Sequence, residues 1–183
     1  MPSIEEPPEP WRSFFAELDA RLSENVQLHC CGGFVATKLY GVARETNDVD
    51  FLAIVPNAWG GIAELAGEGS PLYRTHKLYL DAVTVATPPE NYEQRLVEMF
   101  PGAWTHLQLY ALEAHDLALT KLQRNFDRDR DDIQQLAAKG HLNSEVLKKR
   151  YYEELRPYLV NEERHDLTLQ LWLESCWPDE PIT

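Results

Sequence analysis

One run constrains this chain more than any other: the pair Gly32-Gly33, a polar loop, and then Asp48-Val49-Asp50 leading into Phe51-Leu52-Ala53-Ile54-Val55. A short apolar run bounded by turn residues reads as a buried strand, and aspartate is a poor strand former. Side chains at i and i+2 of a strand point to the same face. Asp48 and Asp50 are therefore expected side by side, where two carboxylates repel unless a cation lies between them. Hard oxygen ligands of this kind suit Mg²⁺ or Mn²⁺. A glycine turn that opens a helix brings backbone N–H groups close to a phosphate. The two halves together point to metal-assisted chemistry on a nucleoside triphosphate. The plainer reading is a pair of solvated strand carboxylates or a turn cap.

The 183 residues suffice for one domain, or for a small domain with a helical appendage. A hydrophobic content of 44% supports a real core. No apolar run reaches the length of a membrane span, and the N-terminal Met1-Pro2-Ser3-Ile4-Glu5-Glu6 lacks the basic start and apolar centre of a signal peptide. The expectation is a cytoplasmic protein with no membrane partner. Cys30, Cys31 and Cys176 form no disulfide framework; the adjacent pair reads as small core residues. A net charge of −13 opposes non-specific binding to a nucleic-acid backbone.

Read along its length, the chain is an α/β protein in three parts: a flexible arm over residues 1–10, a small α/β core over 11–112, and a helical region over 113–183. Trp11, Phe14, Phe15, Leu18 and Leu22 recur at helical spacing, predicting a helix over 11–24. Strands are predicted at 26–31, 48–55, 78–86 and 104–110, and helices at 34–40, 58–66 and 91–99. After Ala111 the pattern is helical almost throughout, over 114–126, 129–138, 144–159 and 162–177. The helical region is expected to close one side of a cleft.

Asp81 interrupts the apolar run Leu78-Tyr79-Leu80-Asp81-Ala82-Val83, where a buried unpaired charge is expensive. It is the natural third carboxylate, with a salt bridge as the alternative reading and Glu90 and Asp116 as substitutes. Arg44 offers a planar, bidentate donor for phosphate oxygens, and Thr46 a hydroxyl for the loop or for phosphate. Lys38 falls on a helix and reads as surface. No His-x-x-x-His or Cys-x-x-Cys spacing argues for zinc. Neither Gly-x-Ser-x-Gly nor a Walker-type Gly-Lys-Ser/Thr is present.

The glycine pair, the loop Gly41-x-x-Arg44-x-Thr46-x-Asp48-x-Asp50 and the later strand carboxylate Asp81 resemble the nucleotidyltransferase superfamily, and within it the small bacterial proteins of the abortive-infection and toxin–antitoxin type. Lys121, followed by Arg128-Asp129-Arg130-Asp131-Asp132-Ile133, resembles a second segment of that group. Many members carry Gly-Ser where this chain has Gly-Gly. The resemblance implies a nucleotidyltransferase-like mixed sheet flanked by helices. It implies transfer of a nucleoside monophosphate from an NTP to an acceptor hydroxyl on RNA such as tRNA, on a protein or on a small molecule. Asp48, Asp50 and Asp81 would be the catalytic and metal-binding residues for Mg²⁺ or Mn²⁺. Gly32, Gly33, Arg44, Thr46 and Lys121 would bind the triphosphate, Lys121 as a point charge; Arg128, Asp129 and Asp132 read as a helix-start network that holds Lys121 or the base, with Asp129 and Asp132 as helix-dipole partners as the alternative. A cognate toxin or antitoxin is the implied partner. The alternative function is a non-catalytic nucleotide-binding or antitoxin-like interaction module with the same fold.

Overall fold

The computed structural model describes residues 6–180. They fall into two compact units. One takes the described residues up to Thr84 together with Leu96–Leu112; the other takes Val85–Arg95 and the described residues from Glu113 onward.

The first unit is built on a five-stranded mixed sheet. Its strands are β1 (Val26–Cys30), β2 (Asp48–Val55), β3 (Tyr79–Ala82), β4 (Val97–Met99) and β5 (Leu107–Ala111), in the order β3-β2-β1-β5-β4. β2 runs antiparallel to β1 and parallel to β3, while β5 runs parallel to β1 and antiparallel to β4. The expected α/β class holds. β2 has the predicted bounds. The register against β1 slips between His29 and Cys30, which pair with Ala53 and Phe51 and leave Leu52 as the extra residue of β2.

Helix α1 (Trp11–Asp19) presents Trp11, Phe14, Phe15 and Leu18 to the core. It is shorter than its periodicity suggests. Asp19 ends it and turns its carboxylate to the backbone N–H groups of Thr105, His106 and Leu107, at 3.2, 2.7 and 2.8 Å. Those donors open β5, so the helix end and the strand start fix each other. Helix α2 (Gly32–Lys38) begins on the glycine pair itself, two residues earlier than expected. Helices α3 (Trp59–Ala66) and α4 (Pro71–His76) follow β2. α4 escaped the sequence reading, although Ser70-Pro71 is a sound start signal: Ser70 Oγ accepts the Tyr73 N–H at 3.1 Å and proline takes the first turn. The helix expected over 91–99 is absent. In its place stand a 3₁₀ turn, Tyr92–Arg95, and the edge strand β4. Three residues are too few to show a period, and pairing with β5 decides their state.

The second unit is helical: α5 (Ala114–Lys121), α6 (Asp127–Ala138), α7 (Ser144–Arg150) and α8 (Glu162–Cys176). α7 continues into a π turn, Tyr151–Leu155, and a 3₁₀ turn, Arg156–Tyr158, which puts Pro157 at the chain's break from the helix. A part-buried charge network organises this unit. Arg95 grips Asp116 through Nε and Nη2 at 2.8 and 3.0 Å, and Glu154 through Nη2 at 2.7 Å. Arg150 pairs with Asp116 at 3.0 Å and with Glu113. Asp116, considered above as a third acid, is fully buried in this network. No helix among the described residues is long and apolar enough to cross a membrane.

Candidate active site

The first unit brings the residues of the glycine–aspartate run together. β1 ends at Cys30, and the Cys31 N–H donates to the Asp50 carbonyl at 2.8 Å, tying the glycine turn to the start of β2. Gly32 has a φ of +65°, a region that favours glycine. It also needs to lack a side chain: a Cβ there would lie 2.6 Å from Asp50 Cγ. The Asp50 carboxylate is thus packed directly on the turn.

Gly33 has its own occupant. A Cβ on Gly33 would lie 2.7 Å from Arg44 Cζ and 3.1 Å from Thr46 Oγ1. The loop after α2 delivers Arg44 to this place. Tyr40 and Val42 are buried, the Tyr40 hydroxyl donates to the Leu112 carbonyl at 2.9 Å, and the Val42 N–H donates to the Ala36 carbonyl at 2.9 Å. With those two anchors fixed, the chain carries Arg44 back over the helix start. The absence of a serine hydroxyl at position 33 has a physical counterpart here, since the guanidinium fills that space. Thr46 Oγ1 donates to Asp48 Oδ1 at 2.7 Å and holds that carboxylate in orientation.

β3 adds the third carboxylate. In the parallel register Asp48 stands opposite Tyr79 and Asp50 opposite Asp81. Partners in register share a sheet face, so Asp48, Asp50 and Asp81 lie on one face, and Asp81 is exposed. Their joint field is felt nearby. The Tyr79 phenol is raised by burial first, then by the charges of Asp48, Glu68, Asp81 and Asp50. Burial, and after it the charge of Asp50, also pushes the Cys30 thiol up. A thiol held protonated in this way is a core residue rather than a nucleophile.

Among the described residues, no group of three or more His, Cys, Asp or Glu side chains is gathered tightly enough to hold an ion. Asp48 is turned toward Thr46. In residue type and shared face the set fits a hard divalent cation.

Lys38 stands 5.8 Å from the centre of the Trp11 ring. Lys121 lies in the second unit, 3% exposed, with Nζ 2.9 Å from Asp132 Oδ2 and 3.4 Å from Asp129 Oδ1. Asp129 also takes Arg124 through Nε at 2.8 Å and the Phe126 N–H at 3.0 Å. Asp129 and Asp132 therefore hold Lys121 as the sequence suggested, but Arg124 completes the cluster where Arg128 was expected. Arg124 carried no signal that set it apart from the other arginines of that run.

A family described as nucleotidyltransferase of unknown function, DUF6036, matches residues 23–175. The chain belongs to that family. The match spans both the glycine–aspartate run and the helical unit. The resemblance to the nucleotidyltransferase superfamily therefore holds, and the mixed sheet flanked by helices accords with it. No curated protein and no solved structure matches the chain.

Proposed function

We propose that the chain transfers a nucleoside monophosphate from a nucleoside triphosphate to an acceptor hydroxyl. The observation that carries this reading is the convergence of the spaced run on one place. Gly32 makes room for Asp50, Gly33 makes room for Arg44, and Thr46 orients Asp48. A turn whose two glycines are each filled by a side chain of the same motif is hard to explain as ordinary loop chemistry. Family membership supports the same reaction class.

In this reading Arg44 and Thr46 bind the triphosphate oxygens, the guanidinium as a planar donor. Asp48, Asp50 and Asp81 hold Mg²⁺ or Mn²⁺, which supplies neutralising charge for the reacting phosphates. The acceptor oxygen forms a bond to the α-phosphorus, the bridging α–β P–O bond breaks, and pyrophosphate leaves with the electron pair. The hydroxyl proton passes to Asp81, the exposed member of the set. The chain's part is chiefly positioning and electrostatics. Lys121 is left out, because its ammonium is buried with two carboxylates. The acceptor is RNA such as tRNA or a protein hydroxyl, and a net charge of −13 favours the protein. A cognate toxin or antitoxin remains the proposed partner in a phage-defence setting.

The test uses each α-labelled NTP with Mg²⁺ or Mn²⁺ in cell extract, followed by nuclease or protease digestion of the product. Label should enter a macromolecule with the wild type and not with Asp50→Asn. Equal labelling by both proteins would remove the reading.

A further inference from the structure

Resting on the transfer reading, the geometry points to a role for a residue outside the motif: we propose that Tyr79 is the surface on which a nucleobase stacks at this site. The sheet order sets the argument. β2 lies between β1 and β3, so Asp48 and Asp50 have the glycine turn on one side and β3 on the other. Arg44 and Thr46 crowd the glycine side. On the β3 side, Tyr79 stands in register with Asp48 and shares its face with all three carboxylates. Phe51 falls in register with Ala82 on the opposite face, where Trp59 meets it at 4.9 Å between ring centres. Tyr79 is thus the aromatic placed directly beside Asp48.

Its ring is held before any ligand arrives. Tyr73 meets it at 84° with centroids 5.6 Å apart. Tyr73 is pinned in turn: its N–H is capped by Ser70 Oγ, its carbonyl accepts the Lys77 N–H at 2.8 Å, and the Lys77 ammonium lies 5.8 Å from its ring centre. The Tyr79 N–H donates to the Asn47 carbonyl at 3.2 Å. A half-buried ring fixed this way loses little freedom on binding. Beside three carboxylates, a neutral planar group can lie on it without a charge of its own, and base–aromatic stacking fits that chemistry. The base belongs either to the NTP or to a nucleoside end of the acceptor, on whose side Asp81 stands.

The test titrates wild type, Tyr79→Leu, Tyr79→Ala and Tyr79→Phe at fixed Mg²⁺ with ATP, CTP, GTP, UTP and inorganic tripolyphosphate. A second arm titrates the four free nucleosides into protein saturated with tripolyphosphate. Losing the ring should weaken binding about 5- to 150-fold, with Tyr79→Phe close to wild type and tripolyphosphate affinity unchanged. A loss in the first arm assigns the NTP base; a loss in the second alone assigns the acceptor base. Unchanged affinities throughout, or equal losses for NTPs and tripolyphosphate, overturn the stacking role while leaving the transfer reading in place. A wild type that binds neither NTPs nor tripolyphosphate removes the transfer reading and the stacking role with it.

Discussion

The guanidinium of Arg44 stands over Gly33, in the space that any side chain on that glycine would need. The two positions are therefore coupled. Gly33→Ala should expel Arg44 and weaken Mg²⁺·NTP binding by about 1.5–3 kcal/mol, the worth of a hydrogen bond to a charged group. In an Arg44→Ala background the same change should cost far less. Titrating NTP into wild type, both single variants and the double variant measures the coupling. Additive losses would show that Gly33 acts without Arg44.

Asp48 and Asp50 share one face of β2. Asp48→Asn and Asp50→Asn should abolish Mg²⁺-dependent NTP binding while leaving the fold intact. The melting temperature should stay level or rise, because repulsion between neighbouring carboxylates is relieved. Thermal melts with and without Mg²⁺ decide this. A large drop in melting temperature for both variants would mean that the carboxylates serve the fold.

Lys121 is buried with Asp132 and Asp129. Its removal leaves Asp132 and Asp129 buried with one positive partner fewer. Lys121→Ala should lower unfolding stability by about 3–5 kcal/mol, as breaking a buried pair does. The double variant Lys121→Met, Asp132→Leu should recover much of that loss, since no unpaired charge remains. Urea unfolding of the three variants is the measurement. A change below about 0.5 kcal/mol for Lys121→Ala would place it with ordinary surface residues.

Acid should weaken the helical unit through Glu113. Burial pushes this carboxyl up, but the His115 ring at 2.8 Å and Arg150 more than offset it and hold it at about 2, against an ordinary 4.5. A carboxyl lowered by folding stabilises above its unfolded value and loses that contribution as pH falls through the folded one. The contribution, on the order of 3 kcal/mol, should therefore fade between about pH 5 and about pH 2. Glu113→Gln should flatten unfolding stability over that window. An unchanged slope would mean that other carboxylates, such as Glu154 or Asp129, carry the acid response.

Local chemistry makes much of the glycine–aspartate run legible. Asp48 and Asp50 had to share a face because strand side chains alternate, and β2 kept its predicted bounds because an apolar run between turn residues leaves little choice. The glycines marked a close approach, because glycine is the residue that yields space. Their occupants, Asp50 and Arg44, could not be read, since packing between segments carries no local period.

The α/β class, the run from Gly32 to Val55 and the change to helices near residue 112 are legible in the chain alone. Each follows from spacing and propensity within a short window. Tertiary structure decided the rest. It placed Asp81 and Tyr79 beside Asp50 and Asp48, because a parallel register depends on how β2 and β3 meet. It made Val97–Met99 a strand, because three residues take the state of their partner. It gave Lys121 to Asp132, because an ammonium at 3% exposure binds whichever carboxylate the fold buries with it.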